Sequence, residues 1–365
     1  MQAKPTLWLR AELKPKEART AVTPSVAKAL MAAGYNLVVE SSSQRALADQ
    51  LYADIGCTIV KEHSWQQAPD DAIIIGLKEL STELGPFRHR HVHFAHVYKN
   101  QSGWREFLKQ FNAGTGTLYD LEYLVDSDGR RVAAFGYWAG YVGAAIGLLQ
   151  WAAQKNQTQL ASLTPWNSRE QLQEEVQAGI IATGSKPDVM VIGAKGRSGG
   201  GAVELCDACG INTTLWDQPE TSKGGPFDEI LQHHLMINCV FLNKPVAPFT
   251  SLAHLQTPER VLSVICDVSC DPFSDANPLP IYTDCTSIDE PSVRIIDETA
   301  DESQPLDLIS IDHLPSLLPI ESSEEFANAL LPYLLAIDEL DKGVWQRAEA
   351  VFNKRSAEAL AGETV

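Results

Sequence analysis

The chain is 365 residues long, 44% of them apolar and 21% charged, which is enough core-forming material for two domains and excludes disorder as its main state. It carries 47 Asp and Glu against 29 Lys and Arg, a formal charge of −18, and no Lys/Arg-rich run. A phosphate backbone or an anionic membrane would repel such a chain, so neither nucleic acid nor membrane is expected as a partner.

Taken in chain order, the first third reads as short strands alternating with helices. Leu7–Leu9 is apolar, Ser25–Ala33 suits a helix, and Asn36–Glu40 (NLVVE) reads as a strand. Asp71–Gly76 (DAIIIG) is a short continuous apolar run, as a parallel strand buried on both faces should be. His93–Val97 and Thr117–Leu121 repeat the pattern. Phe135–Gln154 carries no charge and has the length of a membrane span. Gly136, Gly140, Gly143 and Gly147 argue otherwise, because on a helix they form one seam that admits a second backbone. This segment is expected to be a long buried helix, packed between domains or at a subunit interface.

A polar stretch, 155–185, follows. A second alternation then begins, with Val189–Ile192, Thr213–Trp216, Met236–Phe241 and Leu262–Val268 as strands. Residues 284–305 read as an acidic loop or hairpin. The tail, 322–361, is helical by pattern, with a capping-box start at Ser322-Ser323-Glu324-Glu325. Strands alternating with helices imply parallel sheets and an α/β class.

The seven cysteines (Cys57, Cys206, Cys209, Cys239, Cys266, Cys270 and Cys285) are scattered through a core-rich chain, as reduced thiols of a cytosolic protein would be. Cys206 and Cys209 form C-x-x-C, yet no second pair stands at zinc spacing, so core cysteines are expected and no metal. Met1–Leu9 lacks a basic head followed by an apolar stretch, so no signal peptide is expected and the location is read as cytoplasmic.

The sharpest local signal is the run from Asp188 to Leu205 (DVMVIGAKGRSGGGAVEL), where an apolar strand enters a glycine-rich turn and then a helix. Gly193, Gly196 and Gly199 are spaced G-x-x-G-x-x-G, one residue looser than the usual dinucleotide fingerprint. Glycine there lets the backbone approach a pyrophosphate at the helix N-terminus. The next strand ends in Asp217, 18 residues after Gly199, where an acid accepts the ribose hydroxyls and repels a 2′-phosphate. NAD is therefore favoured over NADP, with Lys195 and Arg197 in the loop as the contrary signal. The fold expected is α/β, with two Rossmann-like domains with parallel sheets, a cleft between them, and the long helix as the link. The domains are expected at 1–134 plus about 322–365, for substrate and catalysis, and 135–321, for NAD.

Lys78 follows the run DAIIIG and should emerge at a strand's carboxyl end, where open α/β sheets bind ligands. Loss of hydration there lowers a lysine's pKa toward a useful proton-transfer range, and Glu79 and Glu122 are acids placed to tune it. His96 closes the run His93–Val97 in the same way. Arg19, Arg130 and Arg131 are natural carboxylate clamps, since a guanidinium grips a carboxylate at two points. There is no G-x-S-x-G, no G-K-[ST] in the glycine loop and no H-E-x-x-H, which removes serine-hydrolase, P-loop and zinc-protease chemistry from consideration.

Several strings together resemble the NAD-dependent, L-lysine-forming saccharopine dehydrogenases, within the alanine dehydrogenase and transhydrogenase-like superfamily. They are LRAELKPKEARTAVTP, IIIGLKEL, FAHVYKNQSGW, GTLYDLEYL, GRRVAAFGYWAG, VIGAKGRSGGGAVEL, ETSKGGPFDEI and SIDHLPSLLP, in the family's order from Leu9 to Pro319. The resemblance implies a reversible reaction in which saccharopine, NAD⁺ and water give L-lysine, 2-oxoglutarate and NADH. It implies Lys78 and His96 as the acid–base pair, with Glu79 and Glu122 setting the lysine's pKa. Arg19, Lys78, Gln101, Arg130, Arg131 and Phe135 match substrate contacts. Gly196, Arg197, Asp217, Thr221, Val268, Ile311, Asp312, His313 and Leu314 match NAD contacts. The protein is expected to act on these small molecules as a monomer or small homo-oligomer.

Departures from the family pattern are Ser198, where the fungal loop commonly has cysteine, so that no disulfide is expected in that region, Lys195 for an apolar residue, and the acidic segment between Thr283 and Gln304. Two other readings stand beside this one: an alanine-dehydrogenase-like amino-acid dehydrogenase, which holds a single carboxylate, and a non-catalytic NAD-binding regulator. On the main reading the few cations of an acidic chain gather where anions bind, at Arg19, Lys78, Arg130, Arg131 and Arg197.

Overall fold

The computed structural model describes residues 4–242, 244–297 and 304–361. The chain divides into two compact units, Met1–Ala134 with Ser322–Val365, and Phe135–Glu321. Each is built on its own six-stranded sheet.

The first unit carries β1 (Thr6–Leu9), β2 (Asn36–Glu40), β3 (Thr58–Val60), β4 (Ile73–Ile75), β5 (Arg90–His93) and β6 (Thr117–Asp120). The sheet order is β3-β2-β1-β4-β5-β6, all parallel. β1 and β4 are therefore central neighbours between which the winding direction reverses, and ligands of open α/β sheets sit beyond the carboxyl ends at such a reversal. Ile73, Ile74 and Ile75 are fully buried, which accounts for the uninterrupted apolar run. One face packs an aromatic core around β5, where the His91 ring meets Trp65 and Phe111 edge-on and His93 meets Phe107. The terminal helix Gly343–Ala361 packs on the helix Trp104–Gly114 and on β6.

The second unit carries β7 (Val189–Ile192), β8 (Thr213–Trp216), β9 (Leu235–Asn238), β10 (Val264–Asp267), β11 (Val293–Ile296) and β12 (Leu306–Ile309). Its order is β11-β12-β10-β9-β7-β8, with the reversal between β7 and β9. The glycine-seamed helix runs Gly136–Lys155, and its seam is spent inside this unit. An added methyl at Gly140 would overlap the Ser198 carbonyl oxygen, so this helix and Arg197–Ala208 lie backbone against backbone. Gly143 faces Val268, Leu314 and Cys266, and Gly147 faces Leu235. Among the described residues no helix is long and apolar enough to cross a membrane. Cys206 and Cys209 are buried at the end of the helix Arg197–Ala208, where burial pushes their thiols up to about 12 and about 11.

Four local expectations need correction. β5 ends at His93, so His96 lies in a loop with φ of 54° rather than on the strand. The polar stretch holds a helix, Arg169–Thr183, capped by Ser168 Oγ accepting from Gln171 N at 3.3 Å and burying only Leu172, Val176 and Ile180, a stripe too thin to stand out. The acidic segment contributes β11, which pairs antiparallel with β12, so the second sheet is parallel except at that edge; 298–303 of that segment lie outside the described residues. The tail helix starts at Pro319, a turn before the proposed capping box, because a proline in the first turn forfeits no hydrogen bond. Ser323 Oγ instead accepts from Thr20 N at 2.9 Å.

Candidate active site

In the first unit the polar residues gather beyond the carboxyl ends of β1, β4, β5 and β6. Glu12, just past β1, is almost wholly buried, and its carboxylate accepts Leu77 N at 2.6 Å and Lys78 N at 2.9 Å. Arg10 pairs with Glu12 at 3.2 Å and donates to the Lys78 carbonyl. The exit of β1 thus grips both polar groups of the Lys78 peptide, leaving the side chain as the free variable. Burial lowers the Lys78 pKa, Arg19 lowers it further, and Glu17 and Glu79 work against them by favouring the charged form.

Arg19 and Glu17 are both buried and meet at two points, Nε to Oε1 at 2.8 Å and Nη2 to Oε2 at 2.7 Å. Burial pushes the Glu17 carboxyl up, but Arg19 and Lys78 together hold it below its ordinary range. Glu79 lies 3.7 Å from the Lys14 ammonium. Burial raises its pKa too, and its own backbone N–H with Lys14, Lys78 and His96 outweighs that effect, so the group stays ionised.

His96 is half exposed, stacks on the Phe94 ring, and has Nδ1 4.0 Å from Glu122 Oε2. Glu122 Oε1 accepts from Lys99 Nζ at 2.8 Å, so this acid is shared between Lys99 and His96. Behind them Asp120, at the end of β6, accepts Ala95 N at 3.3 Å and Glu122 N at 2.9 Å. One buried carboxyl therefore anchors both the loop of His96 and the loop of Glu122, and burial raises it to about 7. Gln101 accepts from Lys99 N at 2.8 Å. Arg130 and Arg131 are exposed on a turn that Asp126 Oδ1 holds by accepting Arg130 N at 2.9 Å, and neither enters an ion pair among the described residues. Phe135 opens the glycine-seamed helix. Glu12, Glu17, Asp120 and Lys99 escaped sequence reasoning. Each owes its importance to a partner that only the fold or a neighbouring turn supplies, and no spacing announces it.

In the second unit the residues assigned to a dinucleotide also line carboxyl ends. After β7 the turn closes with Gly193 N and Ala194 N donating to Trp216 O at 2.8 and 3.0 Å. Gly196, the N-cap of the helix Arg197–Ala208, has no side chain to accept from the first-turn amides. A methyl at Gly199 would overlap the Gly193 carbonyl oxygen, so only glycine permits this tight entry. Asp217, directly after β8, accepts Lys195 N at 2.9 Å and Gln218 N at 2.8 Å, which fixes its carboxylate and holds its pKa down. Thr221 Oγ1 donates to the Asp217 carbonyl at 3.1 Å. Val268 follows β10, and Ile311, Asp312, His313 and Leu314 follow β12. An open helix N-terminus beside a fixed acid fits a dinucleotide's pyrophosphate and ribose.

Comparison with known proteins defines the class first. Residues 8–142 match the family model "Alanine dehydrogenase/PNT, N-terminal domain". A solved L-alanine dehydrogenase superposes with a TM-score of 0.68 at 16% identity, covering 98% of this chain and 99% of that one. The fold is thus the two-unit, Rossmann-like α/β architecture of that class. The NAD⁺-dependent, L-lysine-forming saccharopine dehydrogenase of Schizosaccharomyces pombe is 47% identical over 360 residues, 95% of this chain and 97% of the relative. Its counterpart in Yarrowia lipolytica is also 47% identical, over 97% of this chain and 98% of the relative. The chain belongs to the L-lysine-forming saccharopine dehydrogenase family.

Proposed function

We propose that this chain is an NAD-dependent oxidoreductase of the CH–NH group, converting saccharopine and water reversibly to L-lysine and 2-oxoglutarate. NAD⁺, when bound, accepts the hydride from the glutamyl α-carbon. The observation that carries the reading is the placement of Lys78 and His96 beyond the carboxyl ends of adjacent strands β4 and β5, in a chain of this family.

Lys78, its pKa lowered by burial, takes the proton of the secondary amine as hydride leaves. His96 serves the addition of water to the resulting imine and the collapse of the carbinolamine, with the Glu122 carboxylate 4.0 Å from its Nδ1. Glu79 and Glu122 act as the tuning acids. Arg19, Gln101, Arg130, Arg131 and Phe135 hold a ligand with three carboxylates. The first unit carries the catalytic groups and the other substrate contacts, and Phe135 is the first residue of the second unit. The second supplies the NAD contacts: Gly196, Arg197, Asp217, Thr221, Val268 and Ile311 to Leu314. The setting is cytoplasmic, and the protein acts on small molecules as a monomer or small homo-oligomer.

The test is a substrate panel of saccharopine, alanine and other opine-type amines, each with NAD⁺ and NADP⁺. Selective turnover of saccharopine with NAD⁺ is expected, and Arg130→Ala or Arg131→Ala should raise KM for saccharopine. Preference for alanine, indifferent to those arginines, would favour the single-carboxylate enzyme instead.

A further inference from the structure

Cys270 lies three residues beyond β10, and Cys285 precedes Thr286, which bridges to Ile311. Cys270 Sγ stands 3.2 Å from Cys285 Sγ and 2.9 Å from the Ser310 carbonyl oxygen. Cys285 is exposed, whereas Cys57, Cys206, Cys209 and Cys266 are buried. It also lines a surface cavity of about 380 Å³ with Tyr282, Asp284 and Ser287, room for a small thiol compound.

We propose that Cys270 and Cys285 form a reversible thiol–disulfide pair whose closure weakens NAD⁺ binding. The first step is attack by the exposed Cys285 thiolate on a small-molecule disulfide, which breaks its S–S bond, releases one thiolate and leaves a mixed disulfide on Cys285. Cys270, kept protonated at rest by burial, then loses its proton and attacks Cys285 Sγ, expelling the second thiolate. Two protein thiols are oxidised, one small disulfide is reduced to two thiols, and the two protons lost by the cysteines are taken up by the leaving thiolates.

Closure must draw the sulfurs from 3.2 Å to a bonded distance of about 2.05 Å and removes the Cys270 thiol proton that Ser310 accepts. Cys270 is two residues past Val268, and Cys285 directly precedes Thr286, which bridges to Ile311, so both ends of the disulfide adjoin residues assigned above to NAD. The effect on NAD⁺ rests on that assignment; formation of the disulfide does not.

The full chain, reduced with dithiothreitol, is moved through graded ratios of oxidised to reduced glutathione. Peptide mapping reads the cross-link and fluorescence titration reads NAD⁺ affinity. The expected result is a Cys270–Cys285 peptide, reversed by dithiothreitol, with the NAD⁺ Kd raised roughly fivefold or more. By reciprocity, saturating NAD⁺ should disfavour the cross-link by the same factor. Cys285→Ser should show neither change. Glutathione retained on Cys285 without a cross-link, or a cross-link that leaves the NAD⁺ Kd unaltered, overturns the proposal. Val268→Asp tests the cofactor assignment separately: an unchanged NAD⁺ Kd in that reduced variant contradicts the assignment and not the cross-link.

Discussion

Glu12 holds Lys78 by its backbone: the carboxylate accepts Lys78 N at 2.9 Å from the opposite side of a strand reversal, while Arg10 binds the Lys78 carbonyl. Removing the carboxylate leaves two N–H groups without their acceptor and the buried Arg10 guanidinium without its counter-charge. Glu12→Ala should cost about 3 kcal/mol or more in urea unfolding, since each orphaned buried group costs roughly 1–3 kcal/mol. Glu12→Gln keeps one acceptor oxygen and should lose less stability, with kcat falling more than KM rises, because it misplaces Lys78 without touching substrate.

His91 and His93 are fully buried among aromatic rings, and burial drives both imidazole pKa values well below 6.5. The unfolded chain takes up protons below 6.5 that the folded one refuses, so stability is present above 6.5 and lost as pH falls. Each histidine contributes a slope of about 1.4 kcal/mol per pH unit below that point. Lowering the pH from 7 to 5 should therefore destabilise the wild type more than a His91→Phe, His93→Phe variant, the Asp120 contribution being common to both.

Asp120 has the opposite sign. Burial raises its pKa from 3.8 to about 7, so the folded state keeps a proton that the unfolded chain releases, and its contribution is lost as pH rises toward 7. Asp120→Asn presents one acceptor where two loops need two. Freeing either the His96 loop or the Glu122 loop should lower kcat roughly tenfold, the loss expected for about 1.4 kcal/mol of positioning. It should also remove the pH dependence that Asp120 itself adds.

Asp217 is fixed by two backbone N–H groups at the end of β8. Asp217→Ala removes both the acceptor for a ribose and the charge that repels a 2′-phosphate. kcat/KM with NAD⁺ should fall about tenfold or more, the worth of one hydrogen bond to a charged group. Activity with NADP⁺ should rise, aided by Lys195 and Arg197; steady-state kinetics with both cofactors measures the ratio.

Strands buried on both faces are legible because burial leaves no polar interruption: β4 and β7, buried at every position, fall within the apolar runs of the sequence. β3 and β11, at the sheet edges, keep exposed residues and no such run. His93–Val97 looked like one strand, yet the chain leaves β5 at His93 and turns at His96 through a left-handed backbone that apolarity cannot signal. Lys78 and Asp217 can be singled out because the ends of β4 and β8 can be read from sequence. The groups that hold them cannot: Glu12 meets Lys78 across 66 residues, and the 18-residue step from Gly199 to Asp217 says nothing of the two amides that fix that acid.

The most direct measurement is the initial rate of NADH formation from saccharopine and NAD⁺, followed across pH for the wild type and for Lys78→Met. The wild type should turn over, with kcat/KM rising as pH passes the lowered pKa of Lys78. Lys78→Met should lose roughly a hundredfold or more in rate and that limb of the profile with it. No saccharopine-dependent NADH from protein that binds NAD⁺, or a Lys78→Met enzyme with undiminished rate and the same profile, would contradict the assignment.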